Sequence, residues 1–371
     1  MSDDRLLSTF LDLVRIDSPT GFEAACATYC AERLRSLGFS VRFDQSARAT
    51  GSDTGNLIAE LPGTAPDVLS FSAHMDCVEP CRGVVPSMAD GIITADSETV
   101  LGADDKAGLA AALEAIERLV ESGRPHATLK ALFSVQEEVG LVGAKHYSAE
   151  DAACDLCLVL DAEGSPGGIV TAAPTHYTFA AEYYGRASHA GVSPERGVSA
   201  ILMATDAIGR MRLGRLDDAT TANVGTIRGG TATNVIAARC DMTGECRSLD
   251  RAVVEALKAE MDAALRAAAD EAGGSVDIAW TLEYEGFIYS DDSPLVALVA
   301  DGCRAAGVEP RTFRTGGGSD ANVLAGKGIP VLALACGMKG VHGVHEQIAV
   351  ADLVGLTNIC VAVAERMAEE R

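Results

Sequence analysis

Leu101-Gly102-Ala103-Asp104-Asp105-Lys106-Ala107-Gly108 sets two carboxylates back to back just ahead of a long alanine-rich run. Adjacent aspartates repel, so a chain that keeps both at a helix start has a cation there or helix N–H groups to cap. Capping needs only one of them. The apolar spacing predicts a helix from Lys106 to Ser122, stopped at Gly123, and a second one from Phe22 to Leu37, stopped at Gly38.

Outward from that stretch, several strand-like runs end on groups that bind metals or move protons. Val68–Ala73 runs into His74-Met75-Asp76, and Leu129–Val135 into Gln136-Glu137-Glu138. Leu156–Leu160 ends at Asp161, while Val331–Ala335 passes Gly337 to reach His342-Gly343-Val344-His345-Glu346. Shorter β-type runs lie at Val41–Phe43 and Asn56–Leu61, and a glycine-punctuated hairpin region spans 83–100. Strands alternating with helices predict an α/β fold: a mixed, mostly parallel sheet flanked by helices, with ligands bound beyond the carboxyl ends of the strands. One acid at a strand end is an ordinary loop residue. His74/Asp76, Asp104/Asp105, Glu137/Glu138, Asp161 and His342 on one rim form a constellation.

Two imidazoles with three or more carboxylates make a nitrogen and oxygen donor set suited to Zn²⁺, Mn²⁺ or Co²⁺. Three ligating carboxylates carry a charge that one divalent ion leaves underpaired, so two ions are expected. In His74-x-Asp76 the acid is placed to support the second ring nitrogen. Glu137 and Glu138, as neighbours, point different ways, so one can ligate while the other faces the substrate water as general base.

His74-Met75-Asp76, the 101–108 stretch, Gln136-Glu137-Glu138-Val139-Gly140-Leu141-Val142-Gly143, Leu160-Asp161 and His342-Gly343-Val344-His345-Glu346 resemble, in matching order, the motif set of the co-catalytic dizinc exopeptidases. The similarity is closest to the peptidase T-like branch of a superfamily that also holds aminoacylases, carboxypeptidases and diaminopimelate desuccinylases. The resemblance implies that Asp104 bridges two metals, that His74 and Asp161 complete one, and that Glu138 and His342 complete the other. It implies that Glu137 is the catalytic base, Asp76 the partner of His74, and the Asp104–Asp105 peptide cis. His345 is then a bystander.

Between residues 178 and 286 the pattern changes to strands at Thr178–Tyr184, Thr220–Ile227, Asn234–Ser248 and Ser275–Tyr284 with helices at Ser199–Met211 and Arg251–Ala272. That β-α-β-β-α-β order predicts a smaller α+β, ferredoxin-like domain on one four-stranded sheet. It divides the zinc exopeptidase-like catalytic domain into residues 1–177 and 287–371. The insertion resembles the superfamily's lid, which often mediates a homodimer. By that similarity His189 stabilises the oxyanion, Asn234 and Arg247 hold the substrate carboxylate or carbonyl, and Gly317 and Ser319 in Thr315-Gly316-Gly317-Gly318-Ser319-Asp320 line the substrate. Cys77 and Cys81 depart from the usual pattern; they read as packing residues or as thiols that alter oxidation sensitivity or metal preference.

Composition narrows the partners. A chain of 371 residues exceeds one ordinary core, which predicts two domains. A formal charge of −23, with 24 Arg and 6 Lys, argues against nucleic acid or an anionic membrane. Eleven cysteines without a disulfide pattern, no leader-like run and no membrane-length segment predict a cytoplasmic protein. Cys154-x-x-Cys157 lies in an apolar run and reads as core thiols. The expected activity is hydrolysis of di- or tripeptides by a dizinc-activated water. An N-acyl amino acid deacylase or carboxypeptidase on the same metal core is the alternative, and a metal-retaining peptide-binding protein the non-enzymatic one.

Overall fold

The computed structural model describes residues 2–369. The described chain divides into two compact units, one of them running to Thr171 and continuing with Tyr289–Arg314 and from Ser319 onward, the other comprising Ala172–Ile288 and Thr315–Gly318.

The larger unit is built on a mixed sheet. Its strands lie in the order Ser40–Phe43, Leu57–Leu61, Thr128–Ser134, Val68–His74, Leu156–Ala162, Val331–Ala335 and Gly168–Ala173. The middle four run parallel to one another, while the outer pairings are antiparallel. Those four are almost wholly buried, as sheets covered on both faces require. They are also the strands whose carboxyl ends carry His74, Glu137/Glu138, Asp161 and the His342 loop. The predicted strand ends agree with the observed ones to within two residues.

The helix Ala103–Ser122 packs on Val68–His74 and Leu156–Ala162, and the helices Ser2–Val14 and Val350–Glu369 pack against it. Its first turn is broken: Asp104 and Asp105 have non-helical backbone, so regular helix begins at Lys106, as the spacing predicts. Alanines dominate its buried face because the axis lies close to the sheet. Gly108 is the limit of that closeness, since a Cβ there would stand 2.2 Å from the Leu160 carbonyl oxygen and 2.4 Å from Asp105 Oδ1. Lys106 is buried and donates to the carbonyls of Leu13 and Ile16, both at 3.1 Å, which ties the helix start to the end of Ser2–Val14.

The smaller unit is an antiparallel sheet in the order Gly214–Arg215, Thr220–Gly229, Arg239–Ser248, Thr175–Tyr184, Ser275–Tyr284. Leaving aside the two-residue edge strand, which the sequence reading lacks, this is the ferredoxin-like arrangement that the β-α-β-β-α-β order calls for. Tyr177, Phe179, Ala181 and Tyr183 alternate inward against Met203, Leu257, Met261 and Leu265 of the helices Ala200–Arg210 and Arg251–Ala272. The third long strand starts at Arg239, not at Asn234, because residues 231–236 are occupied by turns. This unit is wider than 178–286 and takes in the glycine loop 315–318, whose Gly318 lies flat on Tyr284; a Cβ would sit 2.2 Å from that ring.

Gly108→Ala should lower unfolding stability by about 1–3 kcal/mol, the ordinary cost of forcing an extra carbon into a packed interior. Urea denaturation of the two proteins measures it; an unchanged midpoint would contradict the close approach.

Candidate metal centre

Asp104 is the hub of the site. Its Oδ1 lies 3.0 Å from His74 Nε2 and its Oδ2 lies 3.2 Å from His342 Nε2, so each carboxylate oxygen faces a different imidazole. The same His342 nitrogen is 2.9 Å from Glu138 Oε2, and His74 Nε2 is 3.9 Å from Asp161 Oδ1. Donor atoms of His74, Asp104 and Glu138 all lie within 4.8 Å of one another, as do those of His74, Asp105 and Asp161. The five side chains expected to ligate, His74, Asp104, Glu138, Asp161 and His342, are thus brought together from positions up to 268 residues apart (342 − 74).

Electrostatics make the cluster costly without a cation. Burial, then the neighbouring Asp104 charge, pushes the Asp161 carboxyl well above its ordinary range, and burial with Asp161 does the same to Glu137. Asp104 goes the other way: burial opposes its charge, but the bonds from His342 and His74 hold it below the usual carboxylate range. His342, bonded to Asp104 and Glu138, is pushed up to about 10. Burial works against a charged His74, yet Asp104 and Asp76 outweigh it and the ring is raised. Glu138 Oε1 is buried with no hydrogen-bond partner. An orphaned carboxylate oxygen among crowded acids, with two imidazoles at the rim, fits divalent cations that take nitrogen and oxygen donors.

The shell around these groups differs in detail from the sequence reading. His74 Nδ1 meets the main-chain carbonyl of Asp76 at 3.1 Å, and the Asp76 carboxylate only at 3.4 Å. That carboxylate mainly accepts from Glu137 N at 3.0 Å and from the Thr20 hydroxyl at 2.8 Å. Asp76 therefore orients the Glu137–Glu138 turn as well as the imidazole. The Asp104–Asp105 peptide is cis, as the resemblance implies. His342 has φ +63 and a side chain 54 % exposed, which places it on the open side of the cluster.

Several contributing residues escaped the sequence reading. Glu346 accepts from Gly102 N at 2.7 Å and Asp104 N at 2.9 Å; the signal was the four-residue spacing from His342. Asp320 is buried, receives the Ser134 hydroxyl, and burial pushes its carboxyl up to about 6. Glu23 accepts from Gly21 N and Gln136 N and so ties the Thr20 loop to the Glu137 turn. Nothing local marks Thr20 or Glu23, whose partners are 56 and 113 residues away.

Of the remaining expected site residues, His189, Asn234, Arg247 and Gly317 belong to the smaller unit and Ser319 to the larger. In the smaller unit His189 is exposed and its Nδ1 accepts from Gly191 N at 3.1 Å; its strand segment bridges to Val235 beside the exposed Asn234. Arg247 donates to Glu245 at 2.7 Å and to the Tyr284 hydroxyl at 3.2 Å. Gly317 is exposed, and its N–H donates to Thr315 Oγ1. Ser319 Oγ caps the helix Asp320–Gly326 in a capping box with Asn322, which engages its side chain locally.

A rim of parallel strands that carries two histidines and clustered acids able to hold metal ions, together with a peptidase family match over most of the chain, makes the protein a metallopeptidase. The chain belongs to peptidase family M20/M25/M40, whose family model matches residues 70–366. It is 40% identical over 370 residues to the protein YqjE of Bacillus subtilis (strain 168), with all of both chains covered. The aminopeptidase PepT from Bacillus cereus ATCC 10987 is similar at 42% identity and a TM-score of 0.92, with 99% of each chain covered. A tripeptidase from Staphylococcus aureus subsp. aureus Mu50 is similar at 35% identity and a TM-score of 0.95, again over 99% of each chain.

The thiols near the centre act as packing. Cys77 is buried with its Sγ donating to the Asp104 carbonyl at 3.3 Å, and burial drives its pKa far up; burial also pushes Cys81 up to about 11. Every cysteine but the half-buried Cys154 is buried. At pH 7 the native protein should therefore react with Ellman's reagent at no more than about one thiol, Cys154, until denaturant is added. Fast labelling of Cys77 would show an accessible thiolate and overturn the packing role.

Proposed function

We propose that the protein is a peptidase T-like aminopeptidase that cleaves small peptides, tripeptides before dipeptides, with two divalent cations, zinc first and cobalt or manganese as substitutes. The observation that carries this reading is the Asp104 carboxylate, which offers one oxygen to the His74 side and the other to the His342 side. His74 and Asp161 complete one cation site, Glu138 and His342 the other. Full-length similarity to the Bacillus cereus aminopeptidase PepT and the Staphylococcus aureus tripeptidase supports the substrate class.

When bound, such a pair of cations supplies Lewis-acid polarisation of the scissile carbonyl and a lowered pKa for water. The protein's own part is proton traffic and orientation. Glu137 takes the proton of the attacking water and returns it to the leaving amine. Its backbone N–H is pinned to Asp76 Oδ1, which aims the base beside the ligand Glu138. A carboxyl buried this deeply has lost its solvent shell, so it holds a proton more readily than an exposed glutamate. For His189, Asn234 and Arg247 we propose contacts to the substrate's carbonyl and carboxylate, and for the smaller unit a homodimer contact, on the family resemblance. Eleven free thiols support a cytoplasmic location; among the described residues no helix is long and apolar enough to cross a membrane.

Purified protein should hydrolyse tripeptides fastest in a panel with dipeptides and N-acyl amino acids, lose turnover to a chelator, and regain it with Zn²⁺. Glu137→Gln should cut kcat by about 10²–10⁴-fold while metal content stays at the wild-type value. Turnover of N-acyl amino acids alone would assign a deacylase, and bound metal with no turnover on any member of the panel would make the protein a binder.

A further inference from the structure

The metal cluster is assembled from segments that share no secondary structure, so something must keep Asp104 in register with each histidine separately. The Asp104 side chain cannot do this itself, because its two oxygens are the groups being aimed. Two buried carboxylates at the cluster have both oxygens taken by backbone N–H groups. Asp105, fully buried, accepts from the backbone N–H of His74 at 3.2 Å through Oδ2 and from Gly108 N at 3.1 Å through Oδ1. It therefore fastens the broken first turn of the helix to the end of the Val68–His74 strand. Glu346, 1 % exposed, accepts from Gly102 N and Asp104 N, one on each carboxylate oxygen. It belongs to the loop that bears His342, and its own N–H donates to Gly343 O at 3.0 Å.

We propose that Asp105 and Glu346 are positioning residues that divide the work. Asp105 registers the shared Asp104 to His74, and Glu346 registers it to His342, so each sets the affinity of one cation site and not of both. The inference rests on the two-cation reading above. Charge-assisted bonds from a carboxylate to two backbone N–H groups are short and strong. A glutamine in place of Glu346 keeps the shape but presents an NH₂ to one of those donors, which leaves a buried N–H unpaired and frees one side of the grip. Asn in place of Asp105 does the same at the other end. His345, the neighbouring imidazole, has no part in this and serves as the control.

The test is metal stoichiometry by equilibrium dialysis at buffered free Zn²⁺, with metal and protein quantified by mass spectrometry and amino-acid analysis. Wild-type protein and His345→Ala should hold two ions. Glu346→Gln should hold one at a free Zn²⁺ that saturates the wild type, with the emptied site weakened about 10- to 100-fold. Asp105→Asn should likewise hold one. Combination with His342→Ala identifies which: Glu346→Gln/His342→Ala should retain the single ion that His342→Ala retains, whereas Asp105→Asn/His342→Ala should release it as well. Should metal-free Glu346→Gln fail to fold, as judged by circular dichroism, Glu346→Asp gives the same readout, since it keeps two acceptor oxygens but falls one methylene short of the loop. Retention of both ions at wild-type affinity by Glu346→Gln, or loss of the last ion from Glu346→Gln/His342→Ala, overturns the division of work. A wild-type ratio below two at saturating Zn²⁺ overturns the two-cation reading and this assignment with it.

Discussion

Like charges held in a low-dielectric interior are the constraint on which this molecule turns. Asp104, Glu137, Glu138 and Asp161 gather at the rim formed by the carboxyl ends of the parallel strands, and burial together with the neighbouring acids drives Asp161 and Glu137 toward their neutral forms. His74 and His342 offset part of that repulsion through Asp104 and Glu138. One buried oxygen of Glu138 still has no partner. Replacing buried charged groups with well-packed apolar residues is often neutral or stabilising; keeping four acids in one place makes sense when divalent cations supply the counter-charge.

The fold serves that requirement by layering. A parallel strand pair needs a crossover, and each crossover returns the chain to the same edge of the sheet. Four parallel neighbours therefore bring four strand ends to one rim, and His74, Glu138, Asp161 and His342 lie at those ends or on the loops that follow them. The helix Ala103–Ser122 presses its first turn into the same rim, with Gly108 letting its axis approach Leu160. Around this lies a shell of carboxylates that accept from backbone N–H groups: Asp76 on the Glu137–Glu138 turn, Asp105 on His74 and Gly108, Glu346 on Gly102 and Asp104, Glu23 on Gly21 and Gln136. Two of the acids that make the sequence conspicuous, Asp76 and Asp105, hold backbone in this way.

Legibility followed locality. The strand ends at His74, Asp161 and Glu137/Glu138 could be read because an apolar run stopping at a polar residue is visible within ten positions. The start of regular helix at Lys106 could be read for the same reason. Asp76 was read as the partner of His74, which it meets at 3.4 Å, but its hold on a turn some sixty residues away was not legible. That Ser319 caps the short helix after it was likewise not read. The run from Asn234 was read as strand from its composition, but the sheet begins only at Arg239, where pairing with Tyr184 starts.

By itself the sequence determined the α/β class, the strands that would form the rim, the inserted antiparallel unit and the histidines and acids that gather there. Each of these rests on short-range hydrophobic periodicity or on motif spacing. Only the tertiary structure decided which acid faces the cluster and which faces the backbone. Asp104 and Asp105 are chemically identical neighbours; that one faces both imidazoles while the other accepts from His74 N and Gly108 N follows from where the sheet, the helix start and the His342 loop converge. That is information carried by contacts between distant segments, and no local pattern encodes it.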